Sequence, residues 1–119
     1  MVRSYQDLEI YQLSVNLSVK IYKIEFPKDE TFGMRDQIRR AVSSIGANIA
    51  EGFGRFHFKD KLTFFYIARG SLYESSHFVE LANKVGYISS ELKAELFKDL
   101  NNLAVKLNNF IRVIGKNNE

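Results

Sequence analysis

The stretch from Gln37 to Arg55, QIRRAVSSIGANIAEGFGR, constrains the fold more than any other part of the chain. Met34, Ile38, Ala41, Val42, Ile45, Ile49 and Phe53 recur at steps of three and four, an apolar stripe with helical period. Beside it, Gln37, Ser44, Asn48 and Glu51 stack as a polar ladder, and Ser43, Gly46, Ala47 and Ala50 make a flank of small residues. A small flank lets another backbone come close, at some cost in helix propensity for Gly46. A helix with three such faces is expected to be touched on most sides, so other elements should assemble around it.

The segment from Asp7 to Glu25 reads two ways. Leu13, Val15, Leu17, Val19 and Ile21 alternate with polar residues, as in a half-buried strand. Read as a helix, the same residues divide into two stripes, one of Ile10, Leu13, Leu17, Ile21 and Ile24, the other of Leu8, Tyr11, Val15, Val19, Tyr22 and Phe26. At the helical angular step these stripes lie roughly 160° apart. The unbroken length, Asp7 as an N-cap and the lack of turn signals favour helix. Two opposed stripes predict two burials, one inside the bundle and one against a neighbouring chain.

Pro27 disfavours helix at Phe26 and marks the first break. Asp29 or Thr31 is expected to cap the second helix, which runs to about Phe53. Gly52 and Gly54 are expected to end it through a left-handed cap. A third helix spans about Asp60 to Val85, with Phe64, Phe65, Leu72, Val79 and Ala82 as core candidates, and Gly86 ends it. Ser89 or Ser90 caps a fourth helix running to about Ile114, striped by Leu96, Leu100, Leu103, Leu107, Phe110, Ile111 and Ile114. The polar tail from Gly115 to Glu119 is expected to fray. Four long helices with short connections predict an all-α, up-down-up-down antiparallel four-helix bundle, with residues 1–119 forming a single domain.

Composition bears on partners. The chain has no cysteine, which removes disulfides and Cys-ligated zinc and fits a cytoplasmic location. No signal-like segment and no apolar run of membrane length occurs, so no membrane partner is expected. The net charge of +3 permits nucleic-acid binding without requiring it.

The motifs bear on four chemistries. Glu74 and His77 have the Glu-x-x-His spacing of di-iron bundles, but such sites need the motif twice with two further glutamates, and His57 lacks the spacing. Gly52-Phe53-Gly54 lacks the strand and the Lys-Ser/Thr of a phosphate loop and reads better as a helix end. Serines are plentiful, yet no Ser-His-Asp spacing stands out. No catalytic residue, metal or cofactor is therefore assigned. Nucleic-acid binding fares better. Arg35, Arg55, Lys59 and Lys61 are the candidate phosphate contacts, with Phe56, His57 and Phe58 interleaved for stacking. Asn48 and Glu51 are expected to be buried in a polar network with Arg39, Arg40 or Arg55 as partners.

These residues carry a family resemblance. Tyr5-Gln6-Asp7-Leu8, Phe26-Pro27 with Glu30, and Gln37-Ile38-Arg39-Arg40-Ala41 lead to the most specific run, Ser44-Ile45 then Asn48-Ile49-Ala50-Glu51-Gly52, followed by Gly54-Arg55. Ala68-Arg69-Gly70-Ser71 with Glu74 completes it. The chain resembles the four-helix-bundle proteins encoded in intervening sequences of bacterial large-subunit ribosomal RNA genes, and their relatives, the accessory variability proteins of diversity-generating retroelements. Tyr11 stands where that family usually has tryptophan, and Gly46 where it often has proline. The resemblance implies a ring-like homopentamer with a basic surface and no enzymatic activity. For the retroelement relatives it implies nucleic acid and a reverse transcriptase as partners. A protein-interaction adaptor is thus the alternative to a nucleic-acid-binding bundle.

Overall fold

The computed structural model describes residues 2–116. Four helices follow in order: α1 Glu9–Tyr22, α2 Met34–Phe53, α3 Phe58–Lys84 and α4 Ser90–Lys116. They sit at the corners of a square, with α1 against α2 and α4, and α3 against α2 and α4. The molecule is elongated, 48 × 25 × 21 Å, as expected when 27-residue helices rise about 1.5 Å per residue. The expected antiparallel four-helix bundle is the fold.

The core comes from one stripe per helix. Leu17 and Ile21 of α1, Ile38, Val42, Ile45 and Ile49 of α2, Phe65, Leu72 and Val79 of α3, and Leu96, Leu100, Leu103 and Leu107 of α4 are all buried. The alternation from Leu13 to Ile21 is carried on a helix, so period two there was a by-product of two helical stripes. Ile10, Leu17, Ile21 and Ile24 of the first stripe are buried, and Leu8 of the second joins the same core with Tyr11 and Phe26 packed against it. Val15, Val19 and Tyr22 of the second remain open to solvent within one chain.

Several boundaries differ from expectation, each for a local reason. Asp7 belongs to a short 3-10 turn, Tyr5–Asp7, and its carboxylate accepts from the backbone N–H groups of Arg3 (2.8 Å) and Ser4 (3.2 Å). The α-helix therefore starts after it, at Glu9, and it ends at Tyr22, short of Glu25. Neither Asp29 nor Thr31 caps α2. A second 3-10 turn, Lys28–Glu30, intervenes, and Glu30 Oε1 accepts from the N–H of Met34 at 3.2 Å. Gly54 is right-handed, with φ −76°, so no left-handed cap ends α2. Gly52 is instead a packing residue, since a Cβ there would come within 2.8 Å of Phe65 Cε1. Gly86 does take the left-handed conformation, with φ +88°. The N–H of Tyr87 then bonds Ala82 O (2.8 Å) and that of Gly86 bonds Asn83 O (3.0 Å), which closes α3 as a Schellman motif. Ser89 Oγ accepts from the N–H of Leu92 at 3.1 Å and caps α4. Gly115 and Lys116 continue that helix, and residues 117–119 of the expected tail lie outside the described residues.

One end of the bundle is clasped by two side chains. Tyr87 Oη donates to Glu30 Oε2 at 2.6 Å, and Phe26 packs edge to face on the Tyr87 ring at 5.9 Å. The Tyr87 bond, and then the Met34 N–H, hold the Glu30 carboxyl below the usual carboxylate range. The same bond, with desolvation, raises Tyr87. A depressed carboxyl adds stability above its unfolded pKa and loses it as pH falls through the depressed folded value. A raised phenol adds stability below its unfolded pKa and loses it as pH rises through the raised folded value. Stability should therefore fall at both the acid and the alkaline edge. In Tyr87→Phe the alkaline limb should vanish and the acid limb should shrink, Met34 still serving Glu30. Urea unfolding across pH measures this, and unchanged limbs in the variant would contradict the clasp.

Candidate nucleic-acid interface

The cationic residues of interest are distributed by α2 and by the turn into α3. Gly54 to His57 form that turn, and Phe56 stands at its tip with 89% of its surface exposed. The Phe56 and His57 rings meet edge to face at 5.0 Å. Arg55 is held from two sides. Its Nη2 donates to Glu51 Oε2 at 3.3 Å, and its guanidinium lies over the Phe64 ring at 4.6 Å. Phe64, expected in the core, is instead half-buried outside it and serves as a platform for Arg55. Lys59 is exposed one turn further on, with no ion pair among the described residues.

Lys61 does other work. Its Nζ donates to Phe53 O at 2.8 Å and to Gly52 O at 3.4 Å, and it lies 5.6 Å from the centre of the Phe53 ring. It closes the last carbonyls of α2, where the helix dipole favours a cation. Desolvation lowers its pKa. Of the four expected phosphate contacts, Lys61 is therefore largely occupied within the chain.

Arg35 is elsewhere. It sits in the first turn of α2 and Arg55 just beyond the last, and the intervening helix places them about 30 Å apart. Arg35 lies beside Arg39, whose Nη2 donates to Tyr22 O at 3.0 Å and whose guanidinium covers the Tyr22 ring at 4.7 Å. The Nε atoms of both arginines are enclosed without a hydrogen-bond partner. The structure thus brings together Arg55 and Lys59, gives Lys61 a capping role, and moves Arg35 to the opposite end.

The expected polar network separates into pieces. Asn48 is half-buried, but its Nδ2 donates to Ser44 O (2.8 Å) and Ser44 Oγ (2.9 Å), not to an acceptor shared with an arginine. Ser71 Oγ donates to Ser44 Oγ at 2.9 Å and joins α3 to this group. Glu51 is exposed within one chain and, among the described residues, pairs with Arg55 alone. Arg40 is exposed and pairs with Asp36 at 3.5 Å. Helical geometry explains the split. Arg39 and Asn48 fall on opposite faces, and Arg40 shares a face with Glu51 but lies about 16 Å away along the axis.

One feature went unread in the sequence, although both halves of it were visible. The second stripe of α1 and the small flank of α2 lie side by side and form one open groove of about 640 Å³, floored by Tyr11, Val15, Val19, Ser43, Gly46 and Ala47. Gly46 makes the close approach possible, since a Cβ there would stand 2.9 Å from Ser14 Oγ. Among the described residues, no group of His, Cys, Asp and Glu side chains is gathered as a metal site, and His77 is exposed. No described helix is long and apolar enough to cross a membrane.

Four antiparallel helices with a cationic, aromatic turn at one end place the chain among small helical-bundle proteins. More narrowly, it belongs to the 23S rRNA-intervening sequence protein family, whose model matches residues 6–109. A crystal structure of a protein with unknown function, from the S23 ribosomal protein family of Bacteroides thetaiotaomicron, is similar. It has a TM-score of 0.79 and 28% identity, covering 86% of this chain and 97% of that one. No curated protein matches the sequence.

Proposed function

We propose that this chain is a non-enzymatic, homo-oligomeric bundle that binds RNA or DNA through a basic surface with little sequence specificity. The observation that carries the reading is the α2–α3 turn, where Arg55, paired with Glu51 and lying over Phe64, and an exposed Lys59 flank an exposed Phe56–His57 pair. Guanidinium and ammonium groups neutralise phosphates, and an open aromatic face stacks on any base. Neither interaction reads base edges, so discrimination between sequences is weak. Arg35 and Arg39 add positive charge at the far end of the bundle.

Self-association follows from the exposed second stripe of α1. Val15, Val19 and Tyr22 keep 38%, 47% and 45% of their surface in water, and covering that remainder is worth about 1 kcal/mol for each. A ring of five chains, the arrangement that the family resemblance implies, would repeat the turn in every subunit. Weak phosphate contacts then act together through high effective concentration, so a charge of only +3 per chain suffices. The cytoplasm is the compartment that fits a chain without cysteine.

Sedimentation with and without a short RNA at low salt tests both parts. The expected result is a particle several chains in mass that carries RNA with it and releases it at high salt. A multimer that ignores RNA and DNA would overturn the nucleic-acid reading and favour an adaptor for a protein partner, a reverse transcriptase among the candidates. A monomer would overturn the assembly.

A further inference from the structure

Gly70 has no reason within its own chain. It lies in the middle of α3, where glycine is the poorest helix former after proline. A Cβ placed there would meet nothing within 4 Å. On the same outward line of α3 stand Tyr66 and Tyr73, both about half exposed at 48% and 55%. Two large aromatic side chains bracketing a bare backbone suit a close-approaching helix surface. The α1–α2 groove offers the counterpart, an apolar trough whose α2 wall carries only the short side chains of Ser43 and Ala47.

We infer that these two faces meet between copies, α3 of one chain lying with Gly70 in the α1–α2 groove of the next. The inference rests on the proposed self-association and names its contact. The occupant is a second copy because charge and height both match. Ser71 bonds Ser44 at 2.9 Å, so Gly70 stands level with the Ser43 region of its own chain. Glu74 and Arg40 line one cleft and so are also level. Rotation about an axis parallel to the helices leaves heights unchanged. It brings Gly70 to the small wall of the neighbouring groove and Glu74 to the level of its Arg39. Neither Glu74 nor Arg39 has an ion pair among the described residues. Arg39 lies over Tyr22 at the groove's end, ready for a carboxylate from outside.

The contact is heterologous. The groove belongs to α1 and α2, whereas α3 is diagonal to α1, with no close backbone approach to it. Each copy therefore keeps one face free after pairing, and the contact repeats until a ring closes.

The absence of native cysteine makes a clean test. The Ala47→Cys/Gly70→Cys chain, mildly oxidised, should give a ladder of covalent multimers, while either single variant should stay uncross-linked. Gly70→Leu, whose Cβ would meet nothing within 4 Å in its own chain, should keep its helical signal and run at monomer mass. A single variant that forms covalent dimers would overturn the heterologous contact. A wild type that is multimeric, with no ladder and with Gly70→Leu still assembled, would overturn this pairing while sparing self-association. A monomeric wild type would overturn both.

Discussion

Gly52→Val should lower stability by about 1–3 kcal/mol, and Phe65→Ala should lower it by about 3–5 kcal/mol. The two residues are one fitted pair. The Phe65 ring is 1% exposed, packs edge to face on Phe110 at 5.1 Å, and occupies the space that Gly52 leaves beside α2. A side chain at position 52 would force this enclosed ring to move, and an alanine at position 65 would empty its space. Total stability for a domain is only about 5–15 kcal/mol, so Phe65→Ala should show as a large fall in the urea midpoint. The pair should also be coupled. Alanine in place of a helical glycine ordinarily gains about 1 kcal/mol, and the clash with Phe65 should cancel that gain. In a Phe65→Leu background the gain should return, giving a coupling of about 0.5–3 kcal/mol. Additive effects in that cycle would mean that Gly52 is not packed against Phe65.

The second large effect concerns binding, and it separates residues that are close in sequence. Arg55→Ala/Lys59→Ala should remove most of the affinity for single-stranded RNA and flatten its salt dependence. Each phosphate contact contributes a slope of about −0.7 on single strands, and a multimer loses the contacts of every chain at once. Lys61→Met should do the reverse. It uncaps the Phe53 and Gly52 carbonyls and should lower the melting temperature, while the salt slope stays close to that of the wild type.

How far these roles could be read in advance depended on how local their causes are. Helical stripes repeat within a few residues, so the four-helix bundle, the buried faces of α2 and α4 and the cap at Ser89 were all legible. The Gly86 stop was legible because a left-handed glycine follows from the chain's local reversal. Gly52 was misread because its partner, Phe65, lies on another helix, and two nearby glycines looked like a helix end. Lys61 looked like one more cation in a basic turn. Its capping role needs α3 to fold back beside the end of α2, which no spacing rule states. Arg35 and Arg55 were grouped by charge, although the helix between them already placed them at opposite ends. Glu51 shares a ladder with Asn48, which reads as an inward place, but both ends of that ladder, Gln37 and Glu51, are exposed within one chain and only Ser44 and Asn48 at its middle are half-buried. The α1–α2 groove was legible as two separate stripes and became one surface only when the helices were set side by side.

The central claim is that the α2–α3 turn holds phosphates while the bundle assembles around other faces. A salt titration of short-RNA binding tests it most directly, run on wild type, Arg55→Ala/Lys59→Ala and Lys61→Met, with the mass of each checked in the same buffer. The expected result is a steep slope for wild type and Lys61→Met, and weak, nearly salt-independent binding for an Arg55→Ala/Lys59→Ala multimer of unchanged mass. A flat wild-type response, or a double variant that binds as tightly and as steeply as wild type, would contradict the claim.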